Sequence, residues 1–97
     1  MKTYVILRRR AWPSGPDLEA AAKRSTEVGD TMSDDVRWIR SYVLAESDGD
    51  LGTVCIYQAT GPEAIRKHAA SSDLPVDEII EVADTVVVRP DPVPAAT

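Results

Sequence analysis

The sequence has no phenylalanine, one histidine and one cysteine in 97 residues, and its aromatic residues are two tryptophans and three tyrosines. Since 43% of this short chain is apolar, we expect one small core that buries only part of the surface exposed by the unfolded chain. Self-association often supplements such a core, so we expect a homodimer. The single cysteine, Cys55, cannot form a disulfide within the chain, which favours a reducing compartment and predicts a cytoplasmic protein.

Basic residues are fewer than acidic ones, 11 against 16, and the formal charge of −5 disfavours nucleic acid and anionic membranes as partners. No apolar run approaches the roughly 20 residues of a membrane-spanning helix. In the amino-terminal MKTYVILRRR the charges follow the apolar run, the reverse of a signal peptide. Glycine-rich phosphate loops, the GxSxG motif and paired cysteines are also missing, so no reaction class is assigned from motifs.

The order of strand and helix patterns predicts one α+β domain of ferredoxin-like βαββαβ order over residues 1–88. Helices are predicted from apolar spacings of three and four residues, and strands from alternating or β-branched segments. The predicted elements are a strand at 3–9, a helix capped by Asp17, strands at 36–45 and 51–59, a helix at 61–72 and a strand at 76–88. Thr60 and Glu63 have the spacing of a capping box for the second helix. Residues 89–97, with three prolines, are predicted to be a disordered or extended tail.

This fold places two helices on one face of a four-stranded antiparallel sheet and leaves the other face bare. Alternation along the two middle strands divides their side chains between the faces. The aliphatic set is predicted to form the core beneath the helices: Ile39, Val43, Val54 and Ile56. The aromatic and polar set is predicted to lie on the bare face: Trp38, Arg40, Tyr42, Cys55 and Tyr57. This composition favours an interface with a second copy, and a small-molecule cavity between two facing sheets is compatible with it.

His68 is the only imidazole, so any metal site or general base that needs one must use it. Helical spacing places it beside the buried edge of the second helix, where a partly buried histidine with one hydrogen-bond partner is the alternative to a ligand. Cys55, in the middle of a strand, is interpreted as a packed residue in preference to a nucleophile. The run Arg8-Arg9-Arg10 is interpreted as surface charge that balances the acidic remainder, in preference to an anion site.

Several segments of the chain form a pattern: Arg40-Ser41-Tyr42-Val43, Cys55-Ile56-Tyr57-Gln58-Ala59, Pro62-Glu63-Ala64-Ile65-Arg66-Lys67-His68-Ala69, Leu74-Pro75 and Ile79-Ile80-Glu81-Val82. This pattern resembles a family of small bacterial proteins, defined by a domain of unknown function, that includes a nickel-binding member. The similarity extends from Tyr4 to Val88. It implies a dimeric ferredoxin-like α/β-barrel in which two sheets face each other, and a role with nickel or another divalent metal.

Two functions are therefore expected. The first is a small dimeric protein that binds nickel or another divalent metal without established turnover. Its metal ligands are predicted to be His68 and Cys55, which lie in the segments that carry the resemblance and have suitable chemistry. The alternative is a small-molecule-binding or enzymatic dimer that uses the cavity between the facing sheets. The predicted ligand or interface residues are Trp38, Arg40, Tyr42 and Tyr57.

Overall fold

The first strand of the chain lies inside the sheet and pairs on both sides. The structure is a computed structural model that describes residues 1–93. Its elements are β1 (Lys2–Trp12), α1 (Gly15–Asp30), β2 (Val36–Ala45), β3 (Leu51–Ala59), α2 (Pro62–Ser71) and β4 (Glu78–Glu81). The strands form one antiparallel sheet in the order β2-β3-β1-β4. This arrangement confirms the predicted ferredoxin-like βαββαβ fold.

Both helices begin differently from the sequence prediction. Ser14, and not Asp17, caps α1, and its Oγ accepts a hydrogen bond from the backbone N–H of Asp17 at 3.3 Å. Asp17 instead lies in the first turn, where its negative charge interacts favourably with the positive end of the helix dipole. The capping box at α2 is wrong because Gly61 is the cap and forms no side-chain hydrogen bond. Glu63 pairs with Arg66 along the helix instead of folding back onto the cap.

The core lies between the helices and one face of the sheet, and β1 and β3 supply most of its side chains. The buried members are Tyr4, Ile6, Val36, Cys55, Tyr57, Ala59 and Ile65. The predicted faces of β3 are therefore wrong, since Cys55 and Tyr57 face the helices. Val54 and Ile56 alternate with them, so they face the opposite side, which we call the open face. The physical reason is volume: a chain without phenylalanine fills its core with tyrosine rings.

A β-bulge at Ile39 reverses the alternation within β2. Trp38 pairs with Tyr57 and Arg40 pairs with Ile56, so two steps along β2 correspond to one step along β3. The additional residue moves the side chains that follow it to the other face. The set predicted to share the bare face is consequently divided: Trp38, Cys55 and Tyr57 lie on the helix side, whereas Arg40 and Tyr42 lie on the open face.

Two aliphatic residues of β2 that were predicted for the core are exposed. Ile39 retains 47% and Val43 retains 54% of the exposure of a free side chain. Ile39 lies at the bulge, and Val43 lies in an edge strand with space between it and α1. Strand periodicity alone does not show either feature, because an edge position and a bulge depend on tertiary pairing.

The last strand is shorter than predicted. β4 covers Glu78–Glu81, and the later valines, Val86 to Val88, are exposed and outside any strand. Tyr4 pairs with Glu81, and the two strands run antiparallel. A longer β4 would therefore extend past Lys2, where β1 begins, and would have no strand to pair with. The following segment instead reaches the open face, where Asp91 contacts Arg40 and Tyr42.

Residues 94–97 of the predicted tail lie outside the described residues. In the described part of the chain, no helix has the length and apolar character needed to cross a membrane.

Glu46 joins the turn between β2 and β3 to the irregular end of β1. Its carboxylate accepts hydrogen bonds from Arg9 Nε at 2.9 Å, from Arg9 Nη2 at 2.8 Å and from the backbone N–H of Arg10 at 2.8 Å. The Arg9 bonds lower the pKa of Glu46 to about 2, against the opposing effect of desolvation. A Cβ at Gly52 would lie 2.7 Å from the carbonyl oxygen of Arg8, so only glycine permits this close approach.

We predict that Glu46→Gln lowers the melting temperature at neutral pH, because the amide has no negative charge and its single oxygen replaces only one of the two carboxylate oxygens that accept these hydrogen bonds. The pKa of Glu46 is lowered from 4.5 to about 2, so its stabilisation is fully present above pH 4.5 and is lost as the pH falls through about 2. The difference in melting temperature between the wild type and Glu46→Gln should therefore shrink over that interval in thermal unfolding followed by circular dichroism. Glu27→Gln, on the exposed surface of α1, is the matched control. A difference independent of pH would contradict the charge assignment.

Candidate functional site

Five chemically active side chains lie beneath the helices, and we call them the buried cluster. Its members are Arg8, Ser25, Cys55, Tyr57 and His68. Alternation in β1 and β3 directs the arginine, cysteine and tyrosine towards the helices, and the buried sides of α1 and α2 supply the serine and the histidine. The structure thus brings together three residues named from the sequence, His68, Cys55 and Tyr57, together with two that were not named as site residues.

His68 is held as a neutral imidazole. Its Nε2 lies 2.9 Å from the carbonyl oxygen of Ser25, and because a carbonyl only accepts, Nε2 donates. Nδ1 is buried and has no hydrogen-bond partner among the described residues. Burial lowers the pKa of His68, and the nearby positive charge of Arg8 acts in the same direction, whereas the bond to Ser25 opposes them. The single partner agrees with the alternative to a ligand that the sequence suggests, but His68 is only 1% exposed and so is more deeply buried than expected.

We predict that stability falls on mild acidification because His68 must then accept a proton in the interior. Its folded-state pKa lies below the ordinary 6.5, so its contribution to stability is fully present above pH 6.5 and is lost as the pH falls through the folded pKa. His68→Gln should lose about 1 kcal/mol at neutral pH through the weakened bond to Ser25. The variant should also show a smaller loss of stability between about pH 7 and 5 than the wild type, measured by urea unfolding. Equal losses in both proteins would contradict the assignment.

Tyr57 connects the cluster to the protein surface. Its hydroxyl lies 3.2 Å from Ser25 Oγ, and its ring meets the His68 ring edge to face at 5.6 Å. On the other side it stacks on the half-exposed ring of Trp38, with centroids 6.2 Å apart. Burial raises the pKa of Tyr57, so the phenol stays protonated at neutral pH and acts as a hydrogen-bonding group.

Cys55 is a packed thiol. Ser41 Oγ donates to its sulfur at 3.0 Å, and the sulfur lies 3.4 Å from Thr53 Oγ1. The side chain is buried and forms no disulfide. These contacts agree with the interpretation of Cys55 as a packed residue, since a reactive cysteine lies in an accessible electropositive position.

Arg8 was missed by the sequence interpretation, which assigned the whole arginine run to the surface. Arg9 and Arg10 do lie there, paired with Glu46 and Asp48. Arg8 is only 1% exposed, and its Nε, Nη1 and Nη2 have no hydrogen-bond partner among the described residues. The signal was present in the sequence, because Arg8 follows Tyr4 and Ile6 at the two-residue spacing of one strand face.

A cavity of about 520 Å³ lies between α1 and the sheet, next to the buried cluster. Arg8, Ser25, Cys55 and Tyr57 line it, whereas His68 does not. Most of the remaining wall is apolar, with Trp12, Leu18, Ala21, Val43 and Leu74 among its residues. A cavity of this size with a few polar groups has the anatomy of a small-molecule site.

Arg40 and Tyr42 form a separate arrangement on the open face. Both contact the carboxylate of Asp91, and Tyr42 Oη lies 2.9 Å from Asp91 Oδ1. The segment that follows β4 and contains Asp91 therefore lies across the sheet. A groove of about 1000 Å³ between the sheet and the segment exposes Val5, Ile56 and Gln58. The sheet therefore separates these two predicted residues from the buried cluster.

The described residues of this chain do not form a site that fits a divalent cation. Among residues 1–93, no three or more histidine, cysteine, aspartate or glutamate side chains lie close enough together to hold a metal ion. His68 uses Nε2 for Ser25, and Arg8 adds a positive charge to the same interior. The roles of His68 and Cys55 as metal ligands remain predictions.

Comparison with known proteins agrees with this fold. A family model described as "Nickel responsive protein SCO4226-like" matches residues 4–82. Among solved structures, the crystal structure of SCO4226 from Streptomyces coelicolor A3(2) is similar, with a TM-score of 0.70 and 18% sequence identity over 87% of this chain and 99% of that chain. At this identity the likeness shows the fold alone. No curated protein matches the sequence.

Proposed function

Because this chain belongs to the SCO4226-like family of nickel responsive proteins, we propose that it is a cytoplasmic homodimer that binds nickel or a related divalent cation without turnover. The observation that carries the proposal is the family match over most of the chain, at residues 4–82. One copy lacks a group of ligands among its described residues, so the proposal assigns the cation to donors that two copies bring together.

The open face supports the homodimer. Its side chains are apolar and only partly covered: Val5, Leu7, Val54, Ile56 and Ile80. Tyr42 and Arg40, of the residue types enriched at interfaces, lie beside them on β2. An apolar sheet face that the segment ending at Asp91 covers only in part is a feature of surfaces that bind another protein.

The proposed dimer is tested by a charge at the centre of the open face. We expect Ile56→Asp to give a monomer in sedimentation velocity at micromolar concentration, because the carboxylate would be buried at the interface without a partner. Lys67→Glu, on the exposed side of α2, is the control and should remain dimeric. A monomeric wild type, or a dimeric Ile56→Asp, would contradict an interface through facing sheets.

Nickel binding is tested directly by calorimetric titration of nickel chloride into the purified dimer, with elemental analysis after dialysis. We expect heat of binding and retained nickel in a simple ratio to the dimer. Ile56→Asp should retain little nickel, since the proposed site needs two copies. A wild type that gives neither heat nor retained metal would contradict the proposal.

The same titration tests the predicted ligands. A second copy on the open face lies on the other side of the sheet from His68 and Cys55, so it cannot complete a site with them. For a facing-sheet dimer we therefore expect His68→Gln and Cys55→Ser to bind as much nickel as the wild type. Loss of nickel in either variant, with the fold intact by circular dichroism, would instead identify that residue as a ligand and place the site beneath the helices.

A further inference from the structure

Arg8 carries a positive charge into the interior without an anion beside it. The guanidinium does not lose its proton in proteins, and its Nε, Nη1 and Nη2 are buried with no partner among the described residues. Among the other buried polar groups of the cluster, Ser25 and Tyr57 are hydrogen-bonded to each other, and His68 Nε2 donates to the carbonyl oxygen of Ser25. Burying an unpaired charge is strongly unfavourable, so retention of arginine at this position points to an anion that is bound from outside.

Three surface arginines contrast with Arg8. Arg9, Arg40 and Arg66 each have a carboxylate partner although all three are at the surface, where a partner matters least. Among the lining residues of the cavity beside Arg8, the only carboxylate belongs to Glu19, which is exposed on α1. No salt bridge joins Arg8 to it or to any other described residue.

Hydroxyl groups accompany the guanidinium in the cavity wall. Thr53 lies directly opposite Arg8 across the β1–β3 pair, on the same face of the sheet. Its Oγ1 accepts from Cys55, which leaves the hydroxyl hydrogen for another acceptor. Ser25 and Tyr57 line the cavity as well. The polar end of the cavity thus offers hydrogen-bond donors, and the remainder is apolar.

We propose that this cavity binds a small monocarboxylate with an apolar body, its carboxylate held by Arg8 and Thr53. The planar guanidinium fork matches the two oxygens of a carboxylate. A cavity of about 520 Å³ accommodates an aromatic or short aliphatic body against Trp12, Leu18 and Val43. A doubly charged phosphate suits the site less well, since Arg8 is its one unpaired cation and Glu19 is negative. The guanidinium of Arg40 lies on the open face, bound to Asp91, and adds no charge to the cavity.

The site is independent of the proposed nickel function. The cavity lies on the helix side of the sheet, whereas the proposed dimer and its cation use the open face. A protein that binds carboxylate without nickel, or nickel without carboxylate, separates the two proposals.

The test is calorimetric titration of the wild-type protein with benzoate and with hexanoate, each without added metal. At least one should bind, and the neutral analogue of the same shape, benzamide or hexanamide, should bind at least tenfold more weakly. Arg8→Met keeps the approximate volume and removes the charge, so it should lose carboxylate binding by tenfold or more. Arg10→Met, two residues along the same strand and at the surface, is the matched control and should bind as the wild type does.

Stability without ligand gives a second readout. Replacing an unpaired buried charge with an apolar side chain should raise the melting temperature of Arg8→Met above that of the wild type. Added benzoate or hexanoate should then raise the melting temperature of the wild type and leave that of the variant unchanged. If Arg8→Met does not fold, Arg8→Lys replaces it, with weaker carboxylate binding expected because the fork is lost.

Three results would overturn the proposal. The first is no binding of either carboxylate by the wild type at millimolar concentration. The second is equal binding by the wild type and Arg8→Met. The third is tighter binding of inorganic phosphate than of any monocarboxylate, which would assign the site to a different anion.

Discussion

The pairing of β1 on both of its edges is the constraint on which the rest of the structure depends. A strand held between two neighbours cannot rotate or slip, so its alternation determines which side chains enter the core. Tyr4 and Ile6 bring Tyr57 and Cys55 to the same face through the register with β3. The position of Arg8 follows from the same alternation. A shift of one residue would release the arginine to solvent but would also remove Tyr4 and Ile6 from the core.

This constraint explains how a chain of 97 residues without phenylalanine can bury a charge. The apolar contacts of the first strand and its neighbours fix the register, and this register buries the guanidinium of Arg8. Contacts made to the carboxyl-terminal end of β1 hold this register as well. Glu46 binds Arg9 and the Arg10 backbone, and Gly52 lets the turn approach the Arg8 carbonyl. The irregular end of β1 is therefore held by specific contacts just beyond Arg8.

The fold could be predicted from the sequence because strand and helix periods are local properties. The order of elements and the hairpin between β2 and β3 follow from spacing and turn residues alone, and the structure has them. The faces of the sheet were not predictable in the same way. The bulge at Ile39 reverses the phase of β2 between Trp38 and Arg40, and no residue in that segment signals it. For Arg8 the local pattern does contain the information, because the residue continues the alternation of Tyr4 and Ile6 although its charge is typical of the surface.

The sheet also keeps two kinds of charge chemistry apart. On the helix side the dominant charged group is an unpaired guanidinium, which repels a cation and adds to the burial that lowers the pKa of His68. A metal ion there would need the Nδ1 lone pair of His68 while facing Arg8 through a medium of low dielectric constant. On the open face Arg40 is already neutralised by Asp91, so no comparable field opposes a cation. The proposed anion beneath the helices and the proposed cation on the open face are thus electrostatically compatible. A cation beneath the helices would instead be repelled by Arg8.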